Sequence, residues 1–171
     1  MSVKVAITGP ESTGKSWLAE HLALHYNALW VREFARAYLA KNKNYKAEDV
    51  VNIAAGQLKM VQDQLELNPP VLFADTEMLV CEIWYEFVFG LKNDFITDAL
   101  KKQDYDLYLL CAIDIDWEPD PLREHPDQRK RLFELYESRL KSLQFPYRIV
   151  FGNGNERLKN AINFVNEIIK I

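Results

Sequence analysis

The chain has 171 residues, 49% of them hydrophobic and 27% charged, with a formal net charge of -4. That length suits one domain, spanning 1–171, with one sizeable core. Mild acidity argues against a nucleic-acid backbone as partner, since such binding surfaces are basic, and no apolar run is long enough to span a membrane.

Taken along the chain, VKVAIT at 3–8 is a β-branched run that stops at Gly9 and reads as a buried strand. Leu18, Leu22 and Tyr26 then recur at helical spacing over 16–26. A second strand is predicted at 29–31 and a short helix at 33–40. A long amphipathic helix follows at 47–65, closed by Asn68, Pro69 and Pro70. VLFA at 71–74 is a third strand and ends at Asp75. An aromatic-rich helix is predicted at 79–89, a fourth strand at 107–112, and a proline-rich loop at 113–126. A charged helix at 127–143, a fifth strand at 147–150 and a last helix reaching residue 169 complete the pattern. Strands alternating with helices imply an α/β fold: a five-stranded parallel sheet covered on both faces.

Cys81 and Cys111 lie in apolar stretches without CxxC spacing, so two buried, reduced thiols are expected rather than a zinc site. No secretory signal precedes the first strand, which gives a cytoplasmic expectation.

The segment GPESTGKS at 9–16 fits G-x-x-x-x-G-K-[ST] and lies between a predicted strand and a predicted helix, the context the motif needs. Gly9 and Gly14 permit a tight turn, in which the backbone N–H groups through Glu11, Ser12 and Thr13 can cradle phosphate oxygens. Lys15 supplies a charge to the β- and γ-phosphates, and the Ser16 hydroxyl suits Mg²⁺. A P-loop kinase-like fold with ATP and Mg²⁺ as cofactors is expected. The Glu11 side chain should point out of the cradle, toward an acceptor ribose hydroxyl or a lid arginine.

Ligands of open α/β sheets bind beyond the carboxyl ends of the strands. Asp75 ends the third strand and is placed to hold Mg²⁺, to meet the acceptor, or to take its proton. Glu33 follows the second strand and is a second candidate base; sequence alone leaves the choice open. The proline-rich stretch is a candidate lid, bringing Arg123 and Arg129 over the transferring group and excluding water. Trp117 either stacks on a planar ring or anchors that loop. Gly152 and Asn153 follow the last strand, where a loop can pass beside a nucleobase. Trp84 is a candidate wall of an acceptor pocket, although aromatics at helical spacing also build cores.

GPESTGKS, VREFARAYL at 31–39, FADTEML at 73–79, IWYEFVFG at 83–90 and YDLYLLCAIDIDWEPDPLREHPDQR at 105–129 together resemble the ribosylnicotinamide kinase domain of bacterial NAD-salvage proteins. The resemblance implies ATP-dependent phosphorylation of the small nucleoside nicotinamide riboside to nicotinamide mononucleotide. It places residues 9–16 on ATP and Mg²⁺, Asp75 by the acceptor and metal, and Arg123 and Arg129 in the lid. Glu33 is similar to the catalytic acid after the second strand of deoxynucleoside kinases. No H-x-G-H-type motif is present, so neither adenylyl transfer nor DNA-binding regulation is expected of this polypeptide. The alternatives are a kinase for another nucleoside or a nucleotide-dependent switch. The lack of an N-K-x-D motif weighs against a GTPase.

Overall fold

The computed structural model describes residues 2–40 and 44–169. Five strands, β1 (Val3–Thr8), β2 (Leu29–Val31), β3 (Val71–Asp75), β4 (Leu107–Cys111) and β5 (Tyr147–Val150), form one parallel sheet in the order β2-β3-β1-β4-β5. The five strands stand where the sequence places them, to within a residue at their ends. Side chains alternate across the pleat. Val5, Ile7, Phe73 and Leu109 face α1 (Lys15–Tyr26) and α7 (Asn155–Ile168), where Leu18, Leu22, Ala161 and Val165 meet them. Ala6, Ala74, Tyr108 and Leu110 face the other way, against α3 (Ala47–Leu65), α4 (Met78–Phe89), α5 (Asp94–Lys102) and α6 (Arg129–Ser142). A short helix, α2 (Phe34–Leu39), packs on α3 through Ala35, Leu39 and Ile53.

Helix α5 was not among the predicted elements. Its signal is short: the Asn93 side-chain oxygen accepts the Ile96 N–H at 3.2 Å, only Ile96 and Leu100 are buried, and Lys101 and Lys102 fill the last turn. The proline-rich stretch is a loop as expected, closing in a 3₁₀ turn at Pro126–Gln128 ahead of α6. Cys81 and Cys111 are free and buried; burial pushes the Cys111 thiol up to about 11, so it stays protonated and inert.

Strand β1 is central, with β3 on one side and β4 on the other. The chain leaves β1 toward β2 and β3 and later returns on the far side as β4, so a crevice opens at the carboxyl end of β1. The loop from Gly9 to Gly14 lies there.

Candidate functional site

Gly9 leaves β1 at φ 129°, and a Cβ on it would lie 3.1 Å from the Cys111 carbonyl oxygen, so the loop needs glycine to pass the end of β4. Gly14 enters α1 in the left-handed region at φ 75°. Between them the Thr13 hydroxyl and the Lys15 ammonium both donate to the Pro10 carbonyl, each at 2.7 Å. Backbone N–H groups and a helix N-terminus thus converge around the loop, a ready anion cradle.

Two cavities meet at this loop. The first, of about 340 Å³, runs from Gly9, Pro10 and Lys15 to an apolar wall that includes Val80, Trp84, Phe87 and Tyr136. The second, of about 530 Å³, follows residues Ser12 to Trp17 toward Asn153, Gly154 and Arg157. Glu11, Lys15, Glu33, Arg36, Asp120 and Leu122 line both, so the cavities share one charged junction.

Glu33 caps β2 as the N-cap residue of α2, and its side chain is 24% exposed. Asp75, by contrast, lines neither cavity and is 1% exposed. The expected direct acceptor contact at Asp75 is therefore not what the packing provides. Burial, then the nearby Glu33 charge, push its carboxyl up to about 6, against a Ser16 hydrogen bond and the charges of Lys15 and Arg36. Its Oδ1 has no hydrogen-bond partner among the described residues. An orphaned buried carboxylate oxygen beside a hydroxyl fits one side of a Mg²⁺ site, since Mg²⁺ takes one or two carboxylates plus substrate phosphates.

The ends of β2 and β3 are locked together by Gln57, which sequence reasoning missed. Its Oε1 accepts the Phe34 N–H at 2.8 Å, and its amide donates to the carbonyls of Arg32, Asp75 and Thr76 at 3.1–3.3 Å. Thr76 sits at φ 76°, strained for a β-branched residue. The available signal was a glutamine at i+7 of the buried stripe Val50, Ile53, Ala54 on α3.

The lid segment borders the junction and is tied to the phosphate loop. The Ser12 hydroxyl accepts the Glu118 N–H at 2.9 Å. The Glu11 carboxylate accepts the Glu124 N–H at 3.1 Å and also the His125 N–H. Glu11 thus holds lid backbone rather than a lid arginine. Arg123 lines the second cavity but donates to the Glu118 carbonyl at 2.5 Å. Arg129 lines neither cavity; its guanidinium donates to the carbonyls of Ile113 and Ile115 at 2.9 and 2.7 Å. The arginine that joins Lys15 at the junction is instead Arg36, bonded to Asp120 at 3.0 Å and 3.7 Å from Glu33. Sequence reasoning passed over it, although it follows Glu33 at the i+3 spacing that pairs charges on a helix.

Trp84 is on the apolar wall of the first cavity, its Nε1–H donating to the Tyr45 hydroxyl at 3.0 Å, and Tyr45 in turn donates to Glu124 at 2.5 Å. Tyr85 faces the core instead, so the aromatic cluster of α4 divides by helix face. Trp117 is half-buried and lines neither cavity. At the other end, Arg157 is 2% exposed and unforeseen. It donates to the carbonyls of Thr13 and Gly152 at 2.6 and 2.7 Å and pairs with Asp114, which accepts the Gly152 N–H at 2.7 Å. Of the loop after β5, Asn153 lines the cavity and Gly152 braces it.

A parallel 2-3-1-4-5 sheet with a phosphate loop after β1 and a lid after β4 is a P-loop kinase fold. A family model described as an AAA domain, AAA_28, matches residues 4–157, and the chain belongs to that family. It is homologous to the trifunctional NAD biosynthesis/regulator protein NadR of Salmonella typhimurium and of Escherichia coli, being 27% identical to each over 124 residues, which cover 70% of this chain. The resemblance read from the motifs is borne out. The chain spans 30% of the length of these curated relatives. A crystal structure of NadR in complex with NR superimposes with a TM-score of 0.80 at 24% identity, covering 99% of this chain and 52% of that one. A deoxyadenosine kinase from M. mycoides matches with a TM-score of 0.70 at 14% identity, covering 97% and 100%. At such identities these structures establish the fold.

Proposed function

We propose that this protein transfers the γ-phosphoryl group of ATP to the 5′-hydroxyl of nicotinamide riboside, giving nicotinamide mononucleotide and ADP. The observation that carries the reading is the shared junction: an aromatic-walled cavity opens onto the same Lys15, Glu33 and Arg36 that border the phosphate-loop cavity. Its volume of about 340 Å³ falls within the range of small-molecule pockets, about 300–1,000 Å³. Homology to NadR and a nucleoside-kinase fold favour a nucleoside as occupant.

In this reading the acceptor hydroxyl gives its proton to the Glu33 carboxylate as its oxygen forms a bond to the γ-phosphorus. The bond from that phosphorus to the β–γ bridging oxygen breaks, and ADP leaves. Glu33 suits the base because it borders both cavities. Lys15, Arg36 and the loop N–H groups stabilise charge on the transferring group. Ser16 and Asp75 would hold Mg²⁺, which neutralises phosphate charge when bound. The lid keeps water from competing with the acceptor.

A panel of ribonucleosides and deoxynucleosides in an ADP-release assay tests the reading. Nicotinamide riboside should give the highest kcat/KM, and Lys15→Ala should lower kcat by on the order of 10²–10³. A deoxynucleoside as best acceptor would reassign the substrate. ATP binding without acceptor-stimulated turnover would leave a nucleotide-dependent switch.

A further inference from the structure

The loop that cradles phosphate leads directly into Trp17, the third residue of α1. Its indole lines the 530 Å³ cavity together with Asn153 and Gly154, and is half-buried. One side of the ring is covered by the His21 imidazole, with centroids 3.9 Å apart and planes 25° from parallel. His21 Nδ1 lies 2.8 Å from the Trp17 carbonyl oxygen, which fixes the imidazole and so the stack. The Trp17 Nε1–H has no partner among the described residues. Trp17 thus packs in part against the core beneath α1, is backed by a ring, and still borders the cavity.

We propose that Trp17 is the stacking wall of a nucleobase subsite for the phosphoryl donor, completed by the Asn153–Gly154 loop. The ligand class is a nucleoside di- or triphosphate, whose planar base supplies the π-face that the indole takes. This rests on the nucleotide-binding reading above. Arg157 makes the subsite preformed. It ties the Thr13 carbonyl of the phosphate loop to the Gly152 carbonyl beside Asn153, so phosphate cradle and base-side loop hold a fixed spacing. The His21 stack removes rotamer freedom from the indole before any ligand arrives, which lowers the entropy cost of stacking.

Calorimetric titration of ADP and of inorganic tripolyphosphate, which has phosphates but no base, into wild type, Trp17→Phe and Trp17→Ala tests the proposal. Trp17→Ala should weaken ADP on the order of ten-fold, the loss expected for one stacked base, and leave tripolyphosphate unchanged. Trp17→Phe should keep most of the ADP affinity while removing the ADP-dependent quenching of tryptophan emission. Equal losses for both ligands, or no loss for ADP in either variant, would overturn the proposal. Wild type binding neither ligand would overturn both this and the kinase reading. ADP binding without phosphorylation of any nucleoside would overturn the kinase reading alone, and the affinity ratio would still decide the role of Trp17.

Discussion

Asp75 and Glu33 stand at neighbouring strand ends yet occupy different environments. Asp75 is 1% exposed and holds its proton up to about pH 6, mainly through burial. In an unfolded chain an aspartate releases its proton near about 3.9. Between those values the folded state binds more protons, so this group's contribution to stability falls as pH rises through that window and stays low above it. Asp75→Asn should therefore stabilise the nucleotide-free protein at pH 7.5, by up to about 3 kcal/mol, with no such gain at pH 3.5. Thermal unfolding at the two pH values measures it. The same variant should lose Mg²⁺ affinity, whereas Glu33→Gln should lower kcat by about 10²–10⁴ and leave Mg²⁺ affinity unchanged. Both acids were legible because each follows an apolar strand run, Asp75 directly and Glu33 after Arg32. Their difference was not, because burial depends on which strands flank them.

Among the elements, β2 is three residues long and sits at the sheet edge, too short to hold Glu33 in register by itself. Gln57 on α3 supplies the missing restraint, bonding both the β2–α2 turn and the strained backbone after β3. Gln57→Leu keeps the apolar packing but leaves those groups unpaired. It should cost about 2–4 kcal/mol in urea unfolding and lower kcat more than it raises ATP KM. Helical periodicity marks position 57 as buried, but the identity of its partners lies 18 to 25 residues away in sequence. Helix α5 went unread because two buried residues make too short a period to separate from a loop.

At the scale of the whole molecule, the proline-rich segment after β4 borders both cavities where they meet. Two variable side chains of the phosphate loop, Glu11 and Ser12, hold it down through backbone N–H groups. Glu11→Ala removes two charge-assisted hydrogen bonds. Limited proteolysis within residues 117–128 should then become on the order of ten-fold faster, with the rest of the chain as resistant as in wild type. Among the described residues no helix is long and apolar enough to cross a membrane.

By itself the sequence determined the sheet, the phosphate loop and both carboxylates, since each is written in contiguous residues: apolar runs, glycine spacing, an acid at a strand end. It also carried the resemblance that homology to NadR bears out. Only the tertiary structure decided which arginine reaches the junction. Arg123 and Arg129 were the sequence choices; Arg123 lines only the second cavity and the Arg129 guanidinium braces the backbone after β4, while Arg36 borders both cavities. It likewise gave Glu11 its place, resolving an acid in an anion-binding loop into a latch for the lid, and it buried Arg157 between two loops. These roles depend on where long, flexible side chains find hydrogen-bond partners across the fold, and local sequence carries no record of pairs such as Arg36 with Asp120, Glu11 with the Glu124 N–H or Arg157 with the Thr13 carbonyl, 84, 113 and 144 residues apart.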